Sequence, residues 1–461
     1  MIERVRILRS LDPHHARIGY LGALALVATR SLDTFEALAA RFHTLLFERI
    51  FHDDQRFQQL LNRVPPDRRD DLKQRMLRPE DEDPSAAFLE PAAKETPAPK
   101  DWLLSASRGR PQPRLVATNW LYISEFWLYD ECMPSPLGFL SREKADRTID
   151  MARWTDILLP TLELSENGYL LQHLLVRARN DAGALFNPLN PICHPCLPLL
   201  YFRIMLGAEA LYPFILCELV RLADNGERPA TRGDKGLLRA AVKSLLDNVG
   251  PISDPEDALA LADVEQFRES IERKQSTEEN YLRPRLEILV DLGLLERRGT
   301  LGGGKRSEFV WEVSDRTRTV ANELSALATV DKILSGELEN FLDRRFFSSM
   351  GRVFGTNYHP VATEIDRLSW FAKAFADIGR EFGFTPGRTL ALKACFMAWE
   401  AGQIMEVGDV FDTVYRAARS RFEKYLHFSG GSRFDREFLI RIDDELLARL
   451  QDTNTSDANL D

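Results

Sequence analysis

The chain reads as a mainly α, multidomain helical protein with a small α+β element in its second half. Three observations predict this. Apolar residues recur at three- and four-residue spacing over most of the sequence. One stretch, around Gly293, switches from that period to strict alternation. Two proline-bearing segments interrupt the helical pattern. At 461 residues the chain is too long for one small core, and 44% apolar residues is ordinary for a soluble globular protein. A formal charge of −10 excludes an all-over basic coat, so any contact with nucleic acid has to be local.

Taken in order, residues 1–77 read as an N-terminal helical domain. Its first residues lack the apolar core of a secretory signal. The apolar stretch Ile18 to Ala28 is well short of the roughly 20 residues a membrane span needs. The expectation is a cytoplasmic protein with no membrane partner, and five cysteines without framework spacing fit a reducing compartment. Helical spacing runs from Tyr20 to Leu61, with Ser31 and Asp33 as caps for a second helix. Residues 78–114 form an acidic, proline-rich linker, too poor in apolar side chains to offset its ordering entropy, ending in Arg108, Arg110 and Arg114.

Residues 115–225 open on an aromatic helix around Trp120, Tyr122, Phe126 and Trp127. Ser141 caps a following helix, and Leu162, Leu164 and Asn167-Gly168-Tyr169 have the character of a returning strand and turn. Helical segments at 233–249, 255–261 and 264–274 come next. The segments Thr317 to Phe347 and Ala362 to Leu426 predict a helical C-terminal domain over 321–450, and 451–461 is a frayed tail. No repeat of solenoid period is present.

The most informative stretch is Tyr281 to Val313, YLRPRLEILVDLGLLERRGTLGGGKRSEFVWEV. Pro284 suits a first helical position. Leu286, Leu289 and Val290 share a helical face, and Gly293 stands where a left-handed cap would end the helix. Leu294 and Leu295 open a strand, the Gly-rich basic loop Thr300 to Arg306 turns it, and Phe309, Trp311 and Val313 alternate on the return.

This pattern resembles the recognition helix and wing of the winged-helix superfamily, over about residues 233–320. A weaker pattern at about 115–175 fits either a second winged helix or a plain helix-turn-strand connection. The resemblance implies a binding module. In its DNA-reading form the helix tip enters the major groove and the wing meets phosphates, which assigns Asn280, Arg283 and Arg285 to the first task and Arg297, Arg298, Lys305 and Arg306 to the second. Against this, Glu287 and Asp291 recur at four-residue spacing after Arg283.

Chemical motifs are sparse. Cys193-His194-Pro195-Cys196 offers three of four zinc ligands, with His173 or another histidine as the fourth, or else two small apolar cysteines in a proline-rich corner; the packing reading is preferred. Gly302-Gly303-Gly304-Lys305-Arg306 lacks the spacing of a phosphate-binding loop. No cofactor or metal is expected. The expected role is non-enzymatic: a subunit associating with double-stranded DNA and with other protein subunits in a bacterial multicomponent system acting on DNA, in phage defence or chromosome maintenance. The alternative is a protein-binding scaffold without DNA contact, which resembles the use of winged helices in condensin-type accessory subunits. A metal-dependent enzyme centred on Cys193 and Cys196 is a third reading of low weight.

Overall fold

A computed structural model describes residues 18–29, several positions between 34 and 45, 142–182, 194–227, 236–300 and 308–451, apart from 248, 250–251, 253, 274, 356–358, 362, 379–384, 421 and 430–438. The expected linker, the aromatic helix before it reaches residue 142, the proposed Ser141 cap, the wing loop and the C-terminal tail lie outside the described residues. What is described is mainly helical, and its buried apolar side chains form one contiguous cluster from Ile18 to Leu450.

Helix α1 (Ile18–Val27) is apolar all round and correspondingly buried. It packs against α2 (Arg142–Trp154) and α3 (Glu166–Ala182). From α3, the Gln172 amide donates to the carbonyls of Ala25 and Ala28 at 2.7 and 3.0 Å, satisfying acceptors that the end of α1 leaves open.

The returning strand expected here does not form. Leu158 and Leu164 share a single antiparallel bridge, and Asn167-Gly168-Tyr169 lies inside α3. The physical reason is local. The Ser165 hydroxyl accepts the Gly168 N–H at 3.0 Å, which closes the first turn of a helix. Gly168 also has to be glycine for close approach, since a Cβ there would stand 2.0 Å from the Ile157 carbonyl oxygen. The Asn-Gly pair therefore starts a helix instead of turning a strand.

Helices α4 (Cys196–Ala208) and α5 (Leu211–Asp224) are strongly apolar and meet at a bend of 110°. Among the described residues no single helix is long and apolar enough to cross a membrane. Helix α5 packs on α6 (Leu237–Leu246), which leads to α7 (Pro255–Arg273) and α8 (Gln275–Asp291). Helix α7 merges the two segments expected at 255–261 and 264–274. Pro284 lies inside α8 instead of opening it. The missing N–H at Pro284 removes one helical bond. Continuity across it coincides with burial on both sides, at Glu278 and Leu282 before it and at Arg285 and Leu286 after it.

The helix-to-strand switch falls where the sequence puts it. Gly293 adopts φ +69°, its N–H reaches the Val290 carbonyl, and the Leu294 N–H reaches the Leu289 carbonyl at 2.8 Å. That pair of bonds is a Schellman cap, completed by the buried side chains of Leu289 and Leu294. Strands β1 (Leu295–Thr300) and β2 (Glu308–Val313) then pair antiparallel, with Leu295 opposite Val313, Arg297 opposite Trp311 and Arg298 opposite Val310. Helix α9 (Asp315–Ser325) follows at once, held by a capping box between Ser314 and Thr317.

The long segments expected beyond the hairpin are subdivided. After α9 come α10 (Val330–Leu334), α11 (Glu337–Arg344) and α12 (Phe346–Phe354), with Gly336 at φ +79° separating α10 from α11. Then follow β3 (His359–Pro360), α13 (Glu364–Ile378), β4 (Thr385–Pro386), α14 (Gly387–Glu400), β5 (Gln403–Ile404), α15 (Val407–Ala418), β6 (Leu426–Ser429), β7 (Leu439–Ile442) and α16 (Asp444–Gln451). Two small sheets modify the all-helical expectation for this region: β3 pairs parallel with β5, and β7 lies between β4 and β6, antiparallel to both. Helix α14 packs against α13, α15 and α12, and it reaches back to α3.

Candidate functional sites

The hairpin element is the first candidate, and one of its predicted contacts is overturned. Arg285 is wholly buried and forms a fork with Glu209 at the bend between α4 and α5: Nε lies 3.0 Å from Oε2 and Nη2 2.6 Å from Oε1. Its Nη1 donates to the Tyr281 carbonyl at 2.6 Å. A guanidinium so enclosed cannot reach DNA. Burial pushes the Glu209 carboxyl above its ordinary range while Arg285 pulls it back. The carboxylates that argued against DNA contact are also turned inward. Glu287 is buried and accepts the Trp311 indole N–H at 3.2 Å, and Asp291 is buried as well. The C-terminal half of α8 is thus a core helix.

Of the remaining predicted contacts, Asn280 and Arg283 lie on α8, and Arg297 and Arg298 on β1. Their side chains, and all of Lys305 and Arg306, are outside the described residues.

A groove of about 530 Å³ lies between α9, which follows the hairpin directly, and α12, and no sequence motif marks it. Arg316 of α9, Arg345 at the junction of α11 and α12, and Arg352 of α12 converge on it, with the hydroxyls of Thr319, Ser348 and Ser349 and one acid, Glu323. All three arginines are exposed, and among the described residues none has a carboxylate within ion-pair distance. Arg316 stacks over Phe354 at 5.8 Å and Arg345 over Phe341 at 6.0 Å. Such stacking fixes a guanidinium without neutralising it. The helix that carries Arg352 is ordered from below, where the Glu406 carboxylate accepts the N–H groups of Phe347 and Ser348 at 3.1 and 2.7 Å. Burial raises the Glu406 carboxyl to about 7, against the pull of those bonds.

A third constellation gathers around the cysteine motif. Cys196 opens α4, and its Sγ lies 3.0 Å from Glu400 Oε1 at the far end of α14. His194 Nε2 is 3.6 Å from the same oxygen. Arg177 Nη1 of α3 holds the other oxygen of Glu400 at 2.6 Å. Burial, and then the Glu400 charge, push the Cys196 thiol well above its usual value, so it is a poor nucleophile as it stands. His173, offered by the sequence as a fourth ligand, is engaged elsewhere: it pairs with Asp377 at 2.9 Å, and Asp377 also holds the buried Lys393. His173 and Lys393 keep the Asp377 carboxyl well below its ordinary range, and burial lowers Lys393 to about 8. Cys193 lies outside the described residues.

No family model, curated protein or solved structure gives a significant match to the chain. The chemistry of these sites therefore rests on their own residues. Two of the three depend on contacts that no local pattern announces. Glu400 stands 204 positions from Cys196, in a helix whose sequence carries no ligand motif. The arginine groove joins α9 to the start and body of α12, and Arg345, at the non-helical junction before α12, shares no helical face with Arg352 that a periodic pattern could reveal.

Proposed function

We propose that this chain is a non-enzymatic assembly subunit that associates with double-stranded DNA through the groove of Arg316, Arg345 and Arg352 and the neighbouring β1–β2 hairpin. The observation that carries this reading is the convergence of three exposed guanidiniums, free of carboxylate partners among the described residues, on an open groove. Such a surface has the charge to meet phosphates and nothing that reads bases, so the association is sequence-tolerant. The overall charge of −10 keeps it local. The system-level setting, a bacterial assembly acting on DNA, belongs to the same proposal.

A second reading has its own support. With Arg285, Glu287 and Asp291 turned inward, the winged-helix-like element serves packing, as expected of a scaffold that binds other subunits without touching DNA. Titrating the full-length chain with a fluorescent duplex at several salt concentrations separates the two. Phosphate-led association weakens steeply as salt rises, whereas the absence of binding at low salt leaves the scaffold reading in possession.

A further inference from the structure

We propose that His194, Cys196 and Glu400 form a binding site for a divalent zinc-class cation, which ties the start of α4 to the end of α14. Their donor atoms all lie within 4.8 Å of one another, with Cys196 buried and the other two partly buried. A tetrahedral zinc with a sulfur bond of about 2.3 Å and oxygen and nitrogen bonds of about 2.0 Å places sulfur and oxygen about 3.5 Å apart, and nitrogen and oxygen about 3.3 Å apart. The observed separations of 3.0 Å for Sγ to Oε1 and 3.6 Å for Nε2 to Oε1 need adjustments of about half an ångström or less to match. Thiolate, imidazole and carboxylate together suit a borderline cation such as zinc better than the hard cations magnesium or calcium.

The surroundings fit the same occupant. Arg177 engages the second oxygen of Glu400, which leaves Oε1 for one-oxygen ligation and fixes the carboxylate from the outer shell. Asp181 Oδ2, exposed, lies 3.9 Å from His194 Nε2 and is a further oxygen near the site. Binding proceeds by loss of the Cys196 S–H proton to solvent and formation of a metal–sulfur bond. Ligation through Nε2 puts the ring proton of His194 on Nδ1, so the 3.4 Å contact from the Cys196 N–H is given up and the ring turns. The cation is then met by one thiolate and one carboxylate, with Asp181 balancing Arg177.

The test uses the full-length chain, stripped with a chelator and titrated with Co²⁺ and then Zn²⁺. One equivalent of Co²⁺ is expected to bind, giving a thiolate-to-cobalt charge-transfer band and the strong visible absorption of a four-coordinate ion, and Zn²⁺ should displace it. Cys196→Ser should abolish the charge-transfer band, and Glu400→Gln should weaken binding by at least about tenfold. His173→Ala, in the neighbouring pair with Asp377, should leave both unchanged. Should Cys196→Ser fail to fold, peptide mapping after alkylation of the wild-type chain decides: bound Zn²⁺ should protect Cys196, and its alkylation at the same rate with and without Zn²⁺ overturns the proposal. Absence of stoichiometric binding, or a band that survives in a folded Cys196→Ser chain, overturns it equally.

Discussion

Arg285 and the trio Arg316, Arg345 and Arg352 put the same side chain to opposite uses. Arg285 is sealed from solvent, and its fork is filled by Glu209 and the Tyr281 carbonyl. The trio is exposed, is held over aromatic rings at two of its three members, and meets no carboxylate among the described residues. Position along the chain does not distinguish them, since Arg285 sits on the very helix that a binding module would present. The partner does. A guanidinium with a carboxylate at matching burial is a structural strut, and one poised without a partner retains its charge for a ligand.

The largest effect should come from breaking the strut. Arg285→Ala leaves the buried Glu209 carboxylate unpaired, and urea denaturation should register a loss of about 3–5 kcal/mol. Replacing both partners, as Arg285→Met with Glu209→Leu, should recover most of that loss, because no charge is then left buried. A single substitution that costs less than about 1 kcal/mol would sink the strut interpretation and return Arg285 to the list of surface contacts.

Glu406 sharpens the comparison from beneath the groove, where it orders the first turn of α12. Its folded-state value of about 7 lies above the ordinary 4.5, so between those two values the folded chain keeps a proton that the unfolded chain has lost. By linkage, its contribution to stability is fully present below about 4.5 and falls as pH rises towards 7, by an amount on the order of 3 kcal/mol at most. Denaturation of the wild type at a series of pH values from 4.5 to 8 should show this decline, and Glu406→Gln should flatten it. An identical pH profile in the variant would mean that burial does not hold the proton there.

How much of this was legible in the sequence depends on the range of the interaction. The Gly293 cap and the antiparallel hairpin were readable because their bonds join residues a few positions apart, and the period of the apolar residues changes at the same place. Pro284 misled because its local preference for a helix start was overruled by packing on both sides of it. Asn167-Gly168 misled because the pair is an ordinary turn signal, and here the Ser165 cap three residues away and the close approach to the Ile157 carbonyl start a helix instead. Nothing near Arg285 in the sequence signals that Glu209, 76 positions earlier, meets it. For the same reason Glu400 was absent from the ligand set of Cys196.

The cap itself provides a smaller test. At φ +69° an alanine is strained, although the nearest atom to its Cβ, Arg316 Nη1, is 3.6 Å away and leaves room. Gly293→Ala should therefore cost about 1 kcal/mol by backbone conformation alone. A loss much larger than that would mean that the turn between α8 and β1 is coupled to the placement of Arg316, joining strut and groove into one unit.

The smallest effect per site on stability, and the most informative, should come from the trio. Exposed side chains without ion partners contribute little to folding, so replacing Arg316, Arg345 and Arg352 together by alanine should shift stability by no more than about 0.5 kcal/mol for each site. Their effect on DNA association should be large. Each phosphate neutralised adds roughly 0.9 to the slope of log affinity against log salt, so loss of all three should reduce that slope by about 2.7. The reduction should be the same on duplexes of unrelated sequence, because contacts to phosphate carry no base information. A triple variant that is folded and binds with an unchanged slope would show that the groove is not the contact, and would leave the hairpin basic residues to account for any binding that remains.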